Sequence, residues 1–179
     1  MAAGAAAVLL TFGASGCGED GGPVVGGVDS KAPGVSAPAE ASPDAAPEAT
    51  AGDGYDPGRD AAADIATAQQ AARGDGRSVL IDFGADWCAD CQVLAKHFAS
   101  PKVADLLAEK YHMVTVDVGE FDRNLDVAKK YVDLKTSGMP ALVVLGPDGR
   151  IKVATNQGEF ASARSMSADA VADFLIKWA

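Results

Sequence analysis

The stretch Val79–Cys91 reads VLIDFGADWCADC. It opens as a strand and closes on two cysteines three apart, Cys88 and Cys91, with Trp87 directly before the first. Apolar and β-branched residues dominate Ser78–Phe83, the pattern of a strand covered on both faces. Asp82 breaks that pattern, and a buried carboxylate is costly and tends to stay protonated. A helix is expected to begin near Cys88 and run to about Phe98, because Val93, Leu94 and Phe98 recur at roughly one helical turn. Cys88 then sits where unpaired backbone N–H groups and the positive end of the helix dipole favour a thiolate, the form that attacks disulfides. Cys91 lies one turn deeper. Three readings of the pair remain open at this point: a dithiol that exchanges electrons, a soft-metal site, or two small buried residues.

Outward from this stretch the apolar pattern continues. Upstream, Pro57–Ala72 reads as an alanine-rich helix around Ile65, stopped by Gly74 and Gly76. Downstream, Ser100-Pro101 offers an N-cap and a proline at the first helical position, with Val103, Leu106 and Leu107 inward. Met113–Val118 alternates as a second strand, and Asn124–Tyr131 reads as a short helix. Ala141–Leu145 is a third, buried strand; Gly146-Pro147-Asp148-Gly149 turns the chain into a fourth, Ile151–Ala154. Ser167 caps a last helix running to Trp178. Helices between strands predict an α/β architecture with parallel neighbours, a small mixed central sheet and helices on both faces.

The rest of the 179-residue chain has a different composition. Residues 17–55 are almost wholly Gly, Ala, Pro, Ser and acids, and carry no Leu, Ile, Phe or Trp. Such a segment buries too little apolar surface to offset its ordering entropy and is expected to be a disordered linker. It holds one lysine against seven acids, so most of the net charge of −10 belongs to it; residues 56–179, the expected domain, carry −4. No basic stripe points to nucleic acid. Residues 1–16 resemble a secretion signal: a short apolar run, then Ala14-Ser15-Gly16 before Cys17. That ending is similar to the lipobox of bacterial lipoproteins, with Ala14 where a leucine usually stands. The resemblance implies cleavage before Cys17, lipidation of Cys17 and a membrane-anchored, exported protein. Of the three cysteines, this leaves Cys88 and Cys91 as a self-contained pair.

Strand, Trp-Cys-x-x-Cys, helix, and then Gly138-Met139-Pro140 before a buried hairpin resemble the thioredoxin fold over about Ser78–Trp178. Asn124–Tyr131 and Gly138–Arg150 are also similar to the thioredoxin-like proteins that bacteria export. The resemblance implies a thiol–disulfide oxidoreductase in which Cys88 and Cys91 form the redox disulfide. Cys88 is then the nucleophile, and Cys91 resolves the mixed disulfide. Asp82 matches the family's buried proton acceptor, although the partner lysine is missing and Met113 falls about there. Pro140 matches the family's cis-proline, and Met139 offers its backbone to an extended substrate. Trp87 shields the attacking sulfur. Ala89 and Asp90 occupy the tuning positions, and a carboxylate facing the thiols favours a more reducing couple. The implied partners are protein disulfides or dithiols and a membrane electron carrier, acting on a monomer, with no cofactor, no metal and no nucleic acid. Reduction is the favoured direction. A copper chaperone using the same dithiol, or a redox-inert binding module, are the alternatives. His97 points away from the pair and His112 begins a strand, so neither supplies an evident third ligand.

Overall fold

The computed structural model describes residues 53–179. Cys17, the expected signal and nearly all of the expected linker lie outside the described residues. Within them the elements are α1 (Ala61–Asp75), β1 (Ser78–Gly84), α2 (Ala89–Phe98), α3 (Pro101–Lys110), β2 (Tyr111–Asp117), α4 (Leu125–Ala128), α5 (Leu134–Ser137), β3 (Ala141–Leu145), β4 (Ile151–Ala154), a 3-10 turn at Ala163–Ser165, and α6 (Ala168–Trp178). No helix among the described residues is long and apolar enough to cross a membrane.

The sheet order is β2-β1-β3-β4. β1 is central and wholly buried, as its apolar run predicts. It pairs parallel with β2 and antiparallel with β3, and β3 pairs antiparallel with β4. The parallel neighbours expected from the alternation of strands and helices are therefore confined to β1 and β2. The reason is length. A parallel return needs a crossover that carries the chain back along the sheet. α2 and α3, ten residues each, do so between β1 and β2. α4 and α5 have four residues each, about 6 Å of rise, against a strand of seven residues spanning about 23 Å. The chain thus re-enters the sheet near where β2 left it, and β3 runs backward.

Residue alternation along β1 feeds a core on each face. Val79, Ile81 and Phe83 join Ile65, Ala68 and Ala72 of α1. Leu80 joins Leu94 and Phe98 of α2, Val103 and Leu107 of α3, and Val171 and Leu175 of α6. Full burial of each such leucine or phenylalanine contributes about 1.5–3 kcal/mol. Caps fix the helix ends: Asp60 accepts from Ala63 N–H at the start of α1, Ser167 accepts from Ala170 N–H at the start of α6, and Gly76 closes α1 in the left-handed region (φ 82°). Pro101 opens α3 as expected, while the Ser100 hydroxyl turns back to donate to His97 O at 2.6 Å rather than capping.

Composition places Tyr55 in the linker, and the structure corrects this. Tyr55 is buried in the folded part, with its N–H on Asp86 Oδ1 at 3.0 Å, so the described globular region begins before residue 56.

Candidate active site

The site forms where β1 hands the chain to α2. Gly84 ends the strand, Ala85–Trp87 turns, and Cys88 is the N-cap residue of α2 with extended backbone (φ −76°, ψ 114°). Its Sγ takes the place of a capping oxygen and accepts from Cys91 N–H at 3.2 Å. Cys88 and Cys91 are joined as a disulfide. Cys88 is 7% exposed and Cys91 is fully buried, the depth order that the helical spacing predicts. Trp87 stands at the rim, 57% exposed, its Nε1 donating to Gly119 O at 3.0 Å. The Met139–Pro140 peptide bond is cis. Met139 packs in the buried cluster that contains both cysteines.

Asp82 is buried on the face of β1 that carries Leu80, toward α2. α2 runs back along that face. Leu94 joins the buried cluster of Leu80 on that face, and Cys91 lies one turn (about 5 Å) earlier on α2. No lysine or arginine pairs with Asp82 among the described residues. Its register partner on β2 is Thr115; Met113, the expected neighbour, sits two residues away opposite Leu80. The partner is instead Tyr55, whose hydroxyl donates to Asp82 Oδ2 at 2.8 Å. Asp82 Oδ1 has no partner. Burial pushes the carboxyl up to about 7, and the Tyr55 hydrogen bond pulls the other way. Burial and the Asp82 charge raise the Tyr55 phenol well above its ordinary value.

Asp90, between the cysteines, is also buried. Arg164 grips it edge-on, with Nη2 at 2.9 Å from Oδ2 and Nε at 3.2 Å from Oδ1, and its own backbone N–H adds a bond to Oδ1 at 2.9 Å. The carboxylate is therefore paired from the 3-10 turn, and Arg164 anchors the first turn of α2. Sequence offered no signal for this pairing across 74 residues. The sequence reading likewise did not single out Phe121. It is exposed, adopts φ 63°, and lines an apolar groove of about 500 Å³ with Leu125, Ala128, Val132 and Leu134 that reaches Gly138.

The histidines lie apart from this chemistry. His97 is in the last turn of α2 with Nε2 buried and unpartnered, and His112 is buried on β2 with Nε2 2.9 Å from Asp75 Oδ2. Among the described residues, no three His, Cys, Asp or Glu side chains gather as a metal site.

A family model described as thioredoxin-like matches residues 60–147. The crystal structure of a disulphide isomerase from Xylella fastidiosa Temecula1 is 39% identical with a TM-score of 0.66; the match covers 69% of this chain and 94% of that one. In sequence, the thiol:disulfide interchange protein DsbD of Pseudomonas fluorescens is 34% identical over 49% of this chain and 15% of its own length. A thioredoxin of Buchnera aphidicola is 35% identical over 38% of this chain and 55% of its own length. The chain thus spans well under two thirds of the curated relatives it matches. It belongs to the thioredoxin-like family, and Cys88 and Cys91 are its Cys-x-x-Cys pair.

Proposed function

We propose that the protein is an extracytoplasmic thiol–disulfide oxidoreductase that reduces protein disulfides. The observation that carries this is the Cys88–Cys91 disulfide at the mouth of α2, with Cys88 marginally exposed and Cys91 enclosed. In the reduced protein, the Cys88 thiolate attacks one sulfur of a substrate disulfide. The new Cys88–substrate bond forms as the first substrate thiolate leaves. Cys91 then gives its proton to Asp82 and attacks Cys88 Sγ. The Cys88–Cys91 bond forms, the bond to substrate breaks, and the second substrate thiolate departs with the electron pair and takes a proton from water. The protein's dithiol is oxidised to the disulfide as one substrate disulfide becomes two thiols. A membrane electron carrier is the proposed source of electrons for the return step.

Trp87, Met139 and Pro140 form the proposed docking ledge, with an extended substrate backbone laid along Met139. The proposed organisation is a signal over residues 1–16, a linker from residue 17 that ends before Tyr55, and the catalytic domain from there on, anchored through a lipid on Cys17. The likeness to DsbD proteins supports the extracytoplasmic setting.

The test is reduction of insulin disulfides by the dithiol form, with Cys91→Ser as a trap. Wild type is expected to turn over, Cys88→Ser to be inactive, and Cys91→Ser to accumulate mixed disulfides through Cys88. A Cys91→Ser protein that traps nothing while Cys88 remains alkylatable removes the reading. Release of a Cys17→Ser protein from membranes that retain the wild type checks the anchor separately.

A further inference from the structure

Three contacts tie the segment before α1 to the strand beneath the dithiol. Tyr55 donates its hydroxyl to Asp82 Oδ2, its N–H binds Asp86 Oδ1, and its ring fills the space over Gly84, where an added Cβ would stand 2.5 Å from the ring. Gly54, in the left-handed region at φ 79°, delivers the tyrosine to that place. Only one oxygen of Asp82 is used. The other, Oδ1, is buried and unpartnered, and alternation along β1 aims the carboxyl toward α2. A buried carboxyl with one oxygen pinned and one idle is a proton acceptor with a fixed orientation.

We infer that Tyr55 is a positioning residue for the resolving step: it holds Asp82 Oδ2 so that Oδ1 is left to take the proton of Cys91. This rests on the assignment of Cys91 and Asp82 in the proposed function. Tyr55 itself neither gains nor loses a proton in the cycle. Its hydrogen bond favours the carboxylate over the acid, which sets the pH at which Asp82 becomes able to accept. The other groups around Asp82 leave it this role. Thr115 on β2 and Leu142 on β3 are its register neighbours and do not ionise. α2 carries the Cys91 thiol, to which the proposed function assigns the exchanged proton, and Asp86 of the β1–α2 turn acts on Tyr55. Arg164 is committed to Asp90.

The experiment uses the reduced full chain and Ellman's aryl disulfide. Attack by Cys88 releases one thionitrobenzoate, and attack by Cys91 on the resulting mixed disulfide releases a second, so the second coloured phase reports resolution. Its rate is followed against pH for wild type, Tyr55→Phe, Asp82→Asn and the double variant. Loss of the bond in Tyr55→Phe, which keeps the ring over Gly84, is expected to raise the midpoint of the second phase by about one pH unit and slow it roughly tenfold below that midpoint. The double variant is expected to match Asp82→Asn alone. The ¹³C shift of the Asp82 carboxyl in the oxidised protein, where neither cysteine titrates, should move its midpoint upward in Tyr55→Phe as well. A midpoint unmoved in Tyr55→Phe, with Asp82→Asn still slow, overturns the role of Tyr55 alone. A second phase indifferent to Asp82→Asn overturns the acceptor assignment and this inference together. A change in melting temperature without a change in either midpoint reduces Tyr55 to packing.

Discussion

Asp82 is a carboxyl enclosed in a wholly buried strand, and the desolvation of its charge destabilises the fold. Its carboxyl titrates at about 7 in the folded protein against an ordinary 3.8. Between those values the unfolded chain has lost the proton and the folded protein still holds it. Stability therefore falls as pH rises from about 4 to about 7 and is level above that, an effect of at most roughly 4 kcal/mol. Asp82→Asn keeps the shape and removes the charge, so it should unfold at higher urea than wild type at pH 8 and at the same urea at pH 4. An equal difference at both pH values would mean that the carboxyl is not the cause. Gly84→Ala acts on the same couple from the other side. The new methyl meets the Tyr55 ring, so the ring must move, with an expected loss of about 1–3 kcal/mol in urea unfolding. A Gly84→Ala protein as stable as wild type would show that the ring is not held there. Asp82 was visible in the sequence because a carboxylate inside an apolar run is an anomaly. Tyr55 was not, because one aromatic at the edge of a Gly-, Ala- and Pro-rich run has no periodic neighbours to mark it as core.

At the level of elements, the first turn of α2 carries the Cys88–Cys91 pair, and it is held from outside by Arg164. The dipole and free N–H groups of this turn favour negative charge on Cys88, whereas Asp90 two residues on opposes it. The Arg164 fork offsets that opposition. Arg164→Gln should therefore slow alkylation of reduced Cys88 by iodoacetamide several-fold at pH 6.5. Adding Asp90→Asn should restore the rate, since the charge that Arg164 neutralises is then gone. No rescue in the double variant would assign Arg164 to fastening the 3-10 turn rather than to electrostatics. The elements themselves were legible to the extent that they are long and periodic. β1, β3, β4, α2, α3 and α6 lie within a residue or two of where their apolar spacing puts them. α5 and the 3-10 turn, at four and three residues, are shorter than a period can register. The direction of β3 follows from how short α4 and α5 are, which the sequence reading overestimated in taking Asn124–Tyr131 as one helix.

For the molecule as a whole, the direction of electron flow is a question of which redox form folds more stably. A dithiol whose reduced form is stabilised by the fold gives its disulfide away readily and acts as an oxidant; a fold that favours the disulfide makes a reductant. The cross-link closes only three residues of sequence separation, so it constrains the unfolded chain little, and the balance lies in the native state. Against reduced thiolate stand the buried Asp82 and the enclosure of Cys91; for it stand the N-terminus of α2 and the neutralisation of Asp90. Of the two buried carboxyls, Asp90 is paired with Arg164 whereas Asp82 has no cation, so an ionised Asp82 would oppose added negative charge on the dithiol. The oxidised protein should then be the more stable form, with a higher urea midpoint than the reduced protein at neutral pH. Each 1.4 kcal/mol of that difference corresponds to about 30 mV toward the reducing end, so the same samples equilibrated with a mixture of glutathione and glutathione disulfide must show the pair largely oxidised, the disulfide being reduced to two glutathione thiols. Taking Asp82 out of the balance with Asp82→Asn should narrow the gap between the two unfolding midpoints above pH 7. A reduced form that outlasts the oxidised one in urea would reverse the assignment and make this protein a donor of disulfides.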